Sequence, residues 1–240
     1  MCIRDRFYCL IKKNFFMKNL ENVKKMMLQC VVINWDGTLV SSAAMIHQAY
    51  LKTMQALQIH PEWSPEDTMR QNGRPPVEIF NDAGIWGSKA IGSVAKDFFY
   101  RGLEDIRKTK PELLRLKDGA LDLLNWFANH PAFPRIVICG NKTQSILELE
   151  VKTFKLKGLV DIVIGSRMDS LDNKPQPEMF ERAVEGLTIK NPAEEVLHIG
   201  DNPRVDPSFA GTYGASSILV ADTSSADAAS LTELLTKLNA

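Results

Sequence analysis

Long apolar runs are missing: no stretch of the 240 residues approaches the ~18–20 consecutive apolar residues that a membrane-spanning helix needs. Charge of one sign is also missing. Twenty-nine Lys and Arg residues balance 29 Asp and Glu, so no whole-chain basic surplus points to nucleic acid or to an anionic membrane. Cysteine is sparse. Cys2, Cys9, Cys30 and Cys139 have neither CxxC nor zinc-type spacing. Cys30 and Cys139 sit in strand-like runs and read as buried thiols, which predicts a reducing, cytoplasmic setting. Phe7–Phe16 lacks the long apolar core and small-residue cleavage site of a signal peptide. No internal repeat or low-complexity linker interrupts the chain.

What is present suits one α/β domain with a sizeable insertion. The chain is 45% hydrophobic and long enough to bury a full core. Met1–Arg6 resembles the translation of an adapter used in preparing sequencing libraries and is set aside from fold reasoning. The expected start is then Met17 or Met26, and residues 1–27 form an N-terminal extension with a short helical lead-in.

Cys30–Ile33 is short, β-branched and without alternation, as in a strand buried on both faces of a parallel sheet. Asn34, Asp36 and a Gly37-Thr38 turn follow, so polar groups stand at the strand's C-terminal tip, where open α/β sheets bind ligands. Ser41–Gln58, Val77–Ala83 and Lys89–Lys108 have helical spacing, with prolines and glycines between them. Leu113–Asn129 is expected to be amphipathic, with Leu121, Leu124, Trp126 and Phe127 in the core. Strands are then expected at Arg135–Cys139, Val160–Ile164, Glu195–Ile199 and Ser217–Val220. Helices at Ser145–Phe154, Pro177–Glu185 and Ala226–Leu238 alternate with them. The alternation predicts a doubly wound parallel sheet, with residues 28–40 and 113–240 as the core and 41–112 as an inserted helical cap.

Four clusters fall in order at or near strand ends: Asn34–Leu39, Gly140-Asn141-Lys142, Asn173-Lys174-Pro175-Gln176-Pro177, and Gly200-Asp201 through Asp206. Each alone is an ordinary turn or helix cap. Together they resemble the motifs of the haloacid-dehalogenase-like (HAD) superfamily, in its phosphoglycolate-phosphatase-like group with a helical cap after the first strand. The resemblance spans about residues 28 to 222.

It implies a phosphatase acting on a small phosphorylated metabolite with Mg²⁺. Position 34 would be the nucleophile, and Asp36 the acid that protonates the leaving alkoxide and then activates water. Lys174 would be the point charge on the phosphate, with Thr38, Gly140 and Asn141 around the substrate. Asn34, the Asp36 carbonyl, Asp201 and Asp206 would hold the metal, since magnesium prefers hard oxygen ligands. Asp206 has the alternative role of orienting Lys174. Arg74, in Asn72–Pro76, is expected to face the site from the cap and pair with a carboxylate or phosphate, against the simpler reading of a solvated loop arginine. Trp63 and Trp86 read as cap packing. His47, His60 and His130 have no expected chemical role, and His198 reads as a core histidine.

Two positions depart from the family pattern. Asn34 stands where the family has the nucleophilic Asp, and a neutral amide oxygen cannot form the aspartyl-phosphate. Loss of such a residue costs on the order of 10³–10⁶ in rate. Gly140 stands where the family has Ser or Thr, removing a charge-assisted hydrogen bond of about 1.5–3 kcal/mol. The sequence therefore predicts a phosphomonoester site with strongly impaired hydrolysis. Two alternatives stay open: a non-catalytic binding or regulatory protein on this scaffold, and a weak hydrolase using water activated by Asp36. Substrate and oligomeric state are not readable from these motifs.

Overall fold

The computed structural model describes residues 20–58, 63–71, 76–82, 89–167 and 173–240. Met1–Arg6, Met17, His60, Arg74 and Trp86 lie outside the described residues. Five strands form a parallel sheet: β1 (Cys30–Asn34), β4 (Arg135–Thr143), β5 (Ile162–Ser166), β6 (Val196–Gly200) and β7 (Ser216–Leu219), in the order β5-β4-β1-β6-β7. All five residues of β1 are buried because it is the central strand, paired with β4 on one side and β6 on the other.

Successive β1 side chains point to opposite faces, and each face meets its own core. Val31 and Ile33 join Ile136, Ile138, Leu197, Ile199 and Phe127. Cys30 and Val32 join Val137, Cys139, Phe180 and Phe209. From β1 the chain crosses to β4 and β5, then returns to β6 and β7 on the other flank. The crevice beyond the C-terminal ends of β1, β4 and β6 is thus at the topological switch point.

The cap is helical and follows β1. Val40–Ser41 forms a two-residue strand, β2, antiparallel to β3 (Arg115–Leu116). Between them run α1 (Ala43–Ala56), α2 (Pro65–Arg70), α3 (Pro76–Asp82) and α4 (Lys89–Thr109). Tyr50 on α1 packs 4.7 Å (ring centroids) from Phe99 on α4, and 5.6 Å from both Trp63 and Phe80. Trp63 thus packs within the cap, with its indole N–H on Thr68 Oγ1 at 2.8 Å. The ring nitrogen of His47 meets the same hydroxyl at 2.9 Å.

The core continues with α5 (Ala120–Ala128), α6 (Gln144–Thr153), α7 (Glu178–Val184), α8 (Pro192–Glu195), α9 (Asp206–Tyr213) and α10 (Leu231–Asn239). Several expected boundaries move. Leu113–Asn129 is not one helix: a 3-10 turn (Pro111–Leu113) and β3 come first. α5 starts only after Gly119, whose φ of 82° turns the chain into it. On α5, Leu124 and Phe127 are buried and Trp126 is partly so, but Leu121 is exposed. Residues 226–230 are irregular, with Ala228 bridged to Val220, rather than the start of the last helix, which is capped by the Ser230 side chain. The lead-in is a 3-10 helix at Leu20–Lys25, and Val23 and Met26 are buried in the core. Among the described residues no helix is long and apolar enough to cross a membrane.

Candidate active site

The loop leaving β1 is a tight hydrogen-bonded turn. The N–H groups of Leu39 and Val40 return to the Trp35 carbonyl, and Gly37 N–H binds Val40 O at 2.9 Å. Gly37 has φ 81°, and a Cβ there would lie 2.2 Å from Asp201 Oδ2. Only glycine lets the β1 loop and the loop after β6 approach this closely. Lys117 braces the turn from β3's side, its ammonium donating to Gly37 O at 2.8 Å.

Asn34, at the tip of β1, is buried and has four side-chain contacts. Its Nδ2 donates to Asp36 O and to Asp201 Oδ1, each at 2.7 Å, and lies 3.1 Å from Thr38 Oγ1. Its Oδ1 accepts from Lys174 Nζ at 2.8 Å. Thr38 Oγ1 in turn donates to Asp201 Oδ1 at 2.8 Å.

Lys174 also binds Asp206 Oδ1 at 2.8 Å. Burial works to raise the Asp206 carboxyl, but Lys174 and His198 outweigh it and hold the group well below the usual carboxylate range. Burial likewise works against the charge on Lys174, and Asp206 overcomes it. The remaining Asp206 oxygen accepts from Asn202 N–H at 2.8 Å. His198 is indeed a core histidine, with Nδ1 on Val32 O and Nε2 on Asp206 Oδ1, both at 2.9 Å. Burial pushes its ring below the ordinary histidine value, opposed by Asp206. Asp201 is pushed up to about 6, by burial first and then by the Asp206 charge. Asn141 orders the Lys174 loop through its Oδ1, which accepts from Lys174 N–H at 2.8 Å.

One group of contacts had no counterpart in the motif reading. Lys142 Nζ lies 2.8 Å from Asp36 Oδ1 and donates to both oxygens of Glu150 at 2.8 and 2.9 Å. Trp35 Nε1 donates to Glu150 Oε2 at 2.6 Å. Burial works to discharge Lys142, and the two carboxylates keep it charged. The available signal was phase: Glu150 shares the buried face of α6 with Leu147 and Val151, where a lone carboxylate needs a partner. Lys142 reaches it because the β4–β5 register breaks between Cys139 and Thr143.

Asn34, Asp36, Asn141, Lys142, Lys174, Asp201 and Asp206 line one cavity of about 450 Å³, closed on the cap side mainly by Ile46, Tyr50, Phe99, Tyr100 and Leu103. This volume suits a small organic ligand. Thr38 is fully buried just behind the cavity. Gly140 is not among the lining residues. A Cβ there would face Trp35 Cβ and Leu147 at 3.5 and 3.6 Å, so no steric demand requires glycine.

The family-implied magnesium ion was tested against this donor set. Asp201 and the Asp36 carbonyl offer oxygens, but Asn34 presents its N–H groups to those same two oxygens. Asp206 is engaged by Lys174, His198 and Asn202. Among the described residues no group of three or more His, Cys, Asp or Glu side chains is placed to hold a metal. The residues present do not fit the ion.

A doubly wound sheet with a helical cap, and carboxylates and a lysine converging at the switch point, defines a class by architecture: capped α/β proteins with a polar cleft at the strand ends. The model of the haloacid dehalogenase-like hydrolase family matches residues 31–220, and the chain belongs to that family. Its fold is similar to a predicted phosphatase from Clostridium acetobutylicum, at 23% identity and TM-score 0.67, over 88% of this chain and 91% of that one. It is also similar to CbbY from Rhodobacter sphaeroides, solved in complex with phosphate, at 17% identity and TM-score 0.68, over 89% and 100%. A haloacid dehalogenase-like hydrolase from Streptococcus pneumoniae aligns at 20% identity and TM-score 0.65, over 88% and 91%. Among curated proteins none matches.

Proposed function

We propose that the protein binds a small phosphomonoester in this cleft and that its hydrolysis is strongly impaired. The observation that carries the reading is the Lys174 ammonium, buried between Asn34 Oδ1 at the tip of β1 and Asp206 Oδ1 at the start of α9. A phosphate needs a cation and donors on its oxygens, and a desolvated ammonium is a strong one. CbbY, of similar fold, holds phosphate, which supports the same ligand here.

In the family mechanism a carboxylate at position 34 attacks phosphorus while Asp36 protonates the leaving alkoxide. Asn34 spreads its oxygen lone pair over the amide and carries no charge. It therefore supports binding and orientation of the ester but not a covalent intermediate. Asp36 lies two residues on in the same loop, 2.8 Å from the Lys142 ammonium.

The test is the Asn34→Asp variant beside the wild-type chain, assayed with an aryl phosphate and Mg²⁺. The variant is expected to gain ~100-fold or more. Comparable activity in both would overturn the impairment and favour water activated by Asp36. Turnover by neither, with a phosphate-dependent rise in melting temperature, would support binding and place the loss beyond position 34. Absence of both responses would refute the proposal.

A further inference from the structure

We infer that the Asn34 amide group takes the place of the divalent cation, so this chain binds no metal between Asp36 and Asp201 until position 34 carries a carboxylate. The two ends of a side-chain amide are chemically opposite, one accepting and the other donating. The two Nδ2 hydrogens meet two acceptors, Asp36 O and Asp201 Oδ1, and the third neighbour, Thr38 Oγ1, directs its own hydrogen to Asp201. The atom beside Oδ1 is Lys174 Nζ, an ammonium that can only donate. This set of partners fixes the orientation of the amide.

Turning the amide to offer Oδ1 to a cation would reverse every one of these contacts. Its NH₂ group would meet the Lys174 ammonium in a buried site, where an unpaired donor is costly. Left as it is, Nδ2 is 2.7 Å from both oxygens that a cation would share. Magnesium demands ligands at about 2.0–2.1 Å, and its space between those oxygens is taken by the amide hydrogens. Charge acts in the same direction. Lys174 is paired with Asp206, and the carboxylate hydrogen-bonded to the amide is Asp201. Replacement of Asp by Asn thus converts a metal ligand into a built-in hydrogen-bond donor that satisfies the other ligands itself.

This inference goes beyond the proposed function and holds whether or not the cleft takes a phosphoester. Its test needs no turnover. Full-length wild-type, Asp201→Asn, Asn34→Asp and Asn34→Asp/Asp201→Asn proteins are titrated with Mn²⁺, following the free-ion electron paramagnetic resonance signal, and melted with and without Mg²⁺. The wild-type chain is expected to leave the Mn²⁺ signal and its melting temperature unchanged. Asn34→Asp is expected to gain one site at least ~10-fold tighter, with a Mg²⁺-dependent rise in melting temperature. Adding Asp201→Asn is expected to abolish the gain. Wild-type binding of one Mn²⁺ as tight as that of Asn34→Asp, lost on Asp201→Asn, would overturn the inference. So would a folded Asn34→Asp protein with no gain.

Discussion

The Lys142 ammonium stands between two carboxylates, 2.8 Å from Asp36 Oδ1 and 2.8 Å from Glu150 Oε2. It links the loop after β1 to the buried face of α6 and sets the direction of the Asp36 side chain into the cleft.

Removing only the cation leaves Glu150 buried without a partner of opposite charge. Lys142→Met is expected to lose about 3–5 kcal/mol in urea unfolding, the usual result of breaking a buried pair from one side. Lys142→Met/Glu150→Leu is expected to recover most of that loss, because no buried charge remains. Equal losses in the single and double variants would show that packing, not charge, is what Lys142 supplies.

Gly200 ends β6 directly against the Asp206 carboxylate, and a Cβ there would lie 2.1 Å from Asp206 Cγ. Gly200→Ala must therefore move Asp206 away from Lys174 and His198, at an expected cost of about 1–3 kcal/mol. Gly211, inside α9, has nothing within 4 Å of its added Cβ. Gly211→Ala is expected to stabilise by about 0.4–1 kcal/mol through the unfolded chain. Thermal or urea melts of the two variants check the contrast, and a neutral Gly200→Ala would contradict the packing described here.

Asp201 gives a pH dependence of definite sign. Its folded-state value is raised from 3.8 to about 6, so the folded chain holds this proton more tightly than the unfolded chain does. Its contribution to stability is present in full below about pH 4 and is lost as the pH rises through 6. Asp201→Asn removes that loss. The variant is expected to gain stability relative to wild type as the pH rises from 4 to 7. Urea midpoints at several pH values check this, and a difference constant with pH would exclude it.

Much of this architecture was legible in the sequence. Short unbroken apolar runs gave the buried strands, since a strand covered on both faces has no polar face to show. Asn34, Asp36, Lys174, Asp201 and Asp206 stood out because each lies in a motif-like cluster at or near a predicted strand end, and the fold brings all five to one cavity. β2 and β3 were not, because a two-residue strand has no periodicity and exists only through its partner. Leu121 was misjudged because the buried face of α5 runs through Ala120, Leu123, Leu124 and Phe127, which leaves Leu121 on the solvent side. The Lys142–Glu150 pair was hidden since its partners lie on a strand and the helix after it, joined by a register break. Nor did spacing show that Gly140 would face Trp35 and Leu147 rather than the cleft.

The paired strands β2 and β3 carry one more implication. The chain leaves the core through Ser41 and returns through Arg115, and these two residues are direct antiparallel partners. Everything between them is joined to the sheet side by a ladder of two residue pairs, Ser41 with Arg115 and Val40 with Leu116. To the sheet, that whole excursion is equivalent to one hairpin turn. The helices above the cleft are therefore tied to β1 through side chains rather than through the sheet, with Met45, Tyr50 and Phe99 sharing one apolar core with Ile33 and Leu39.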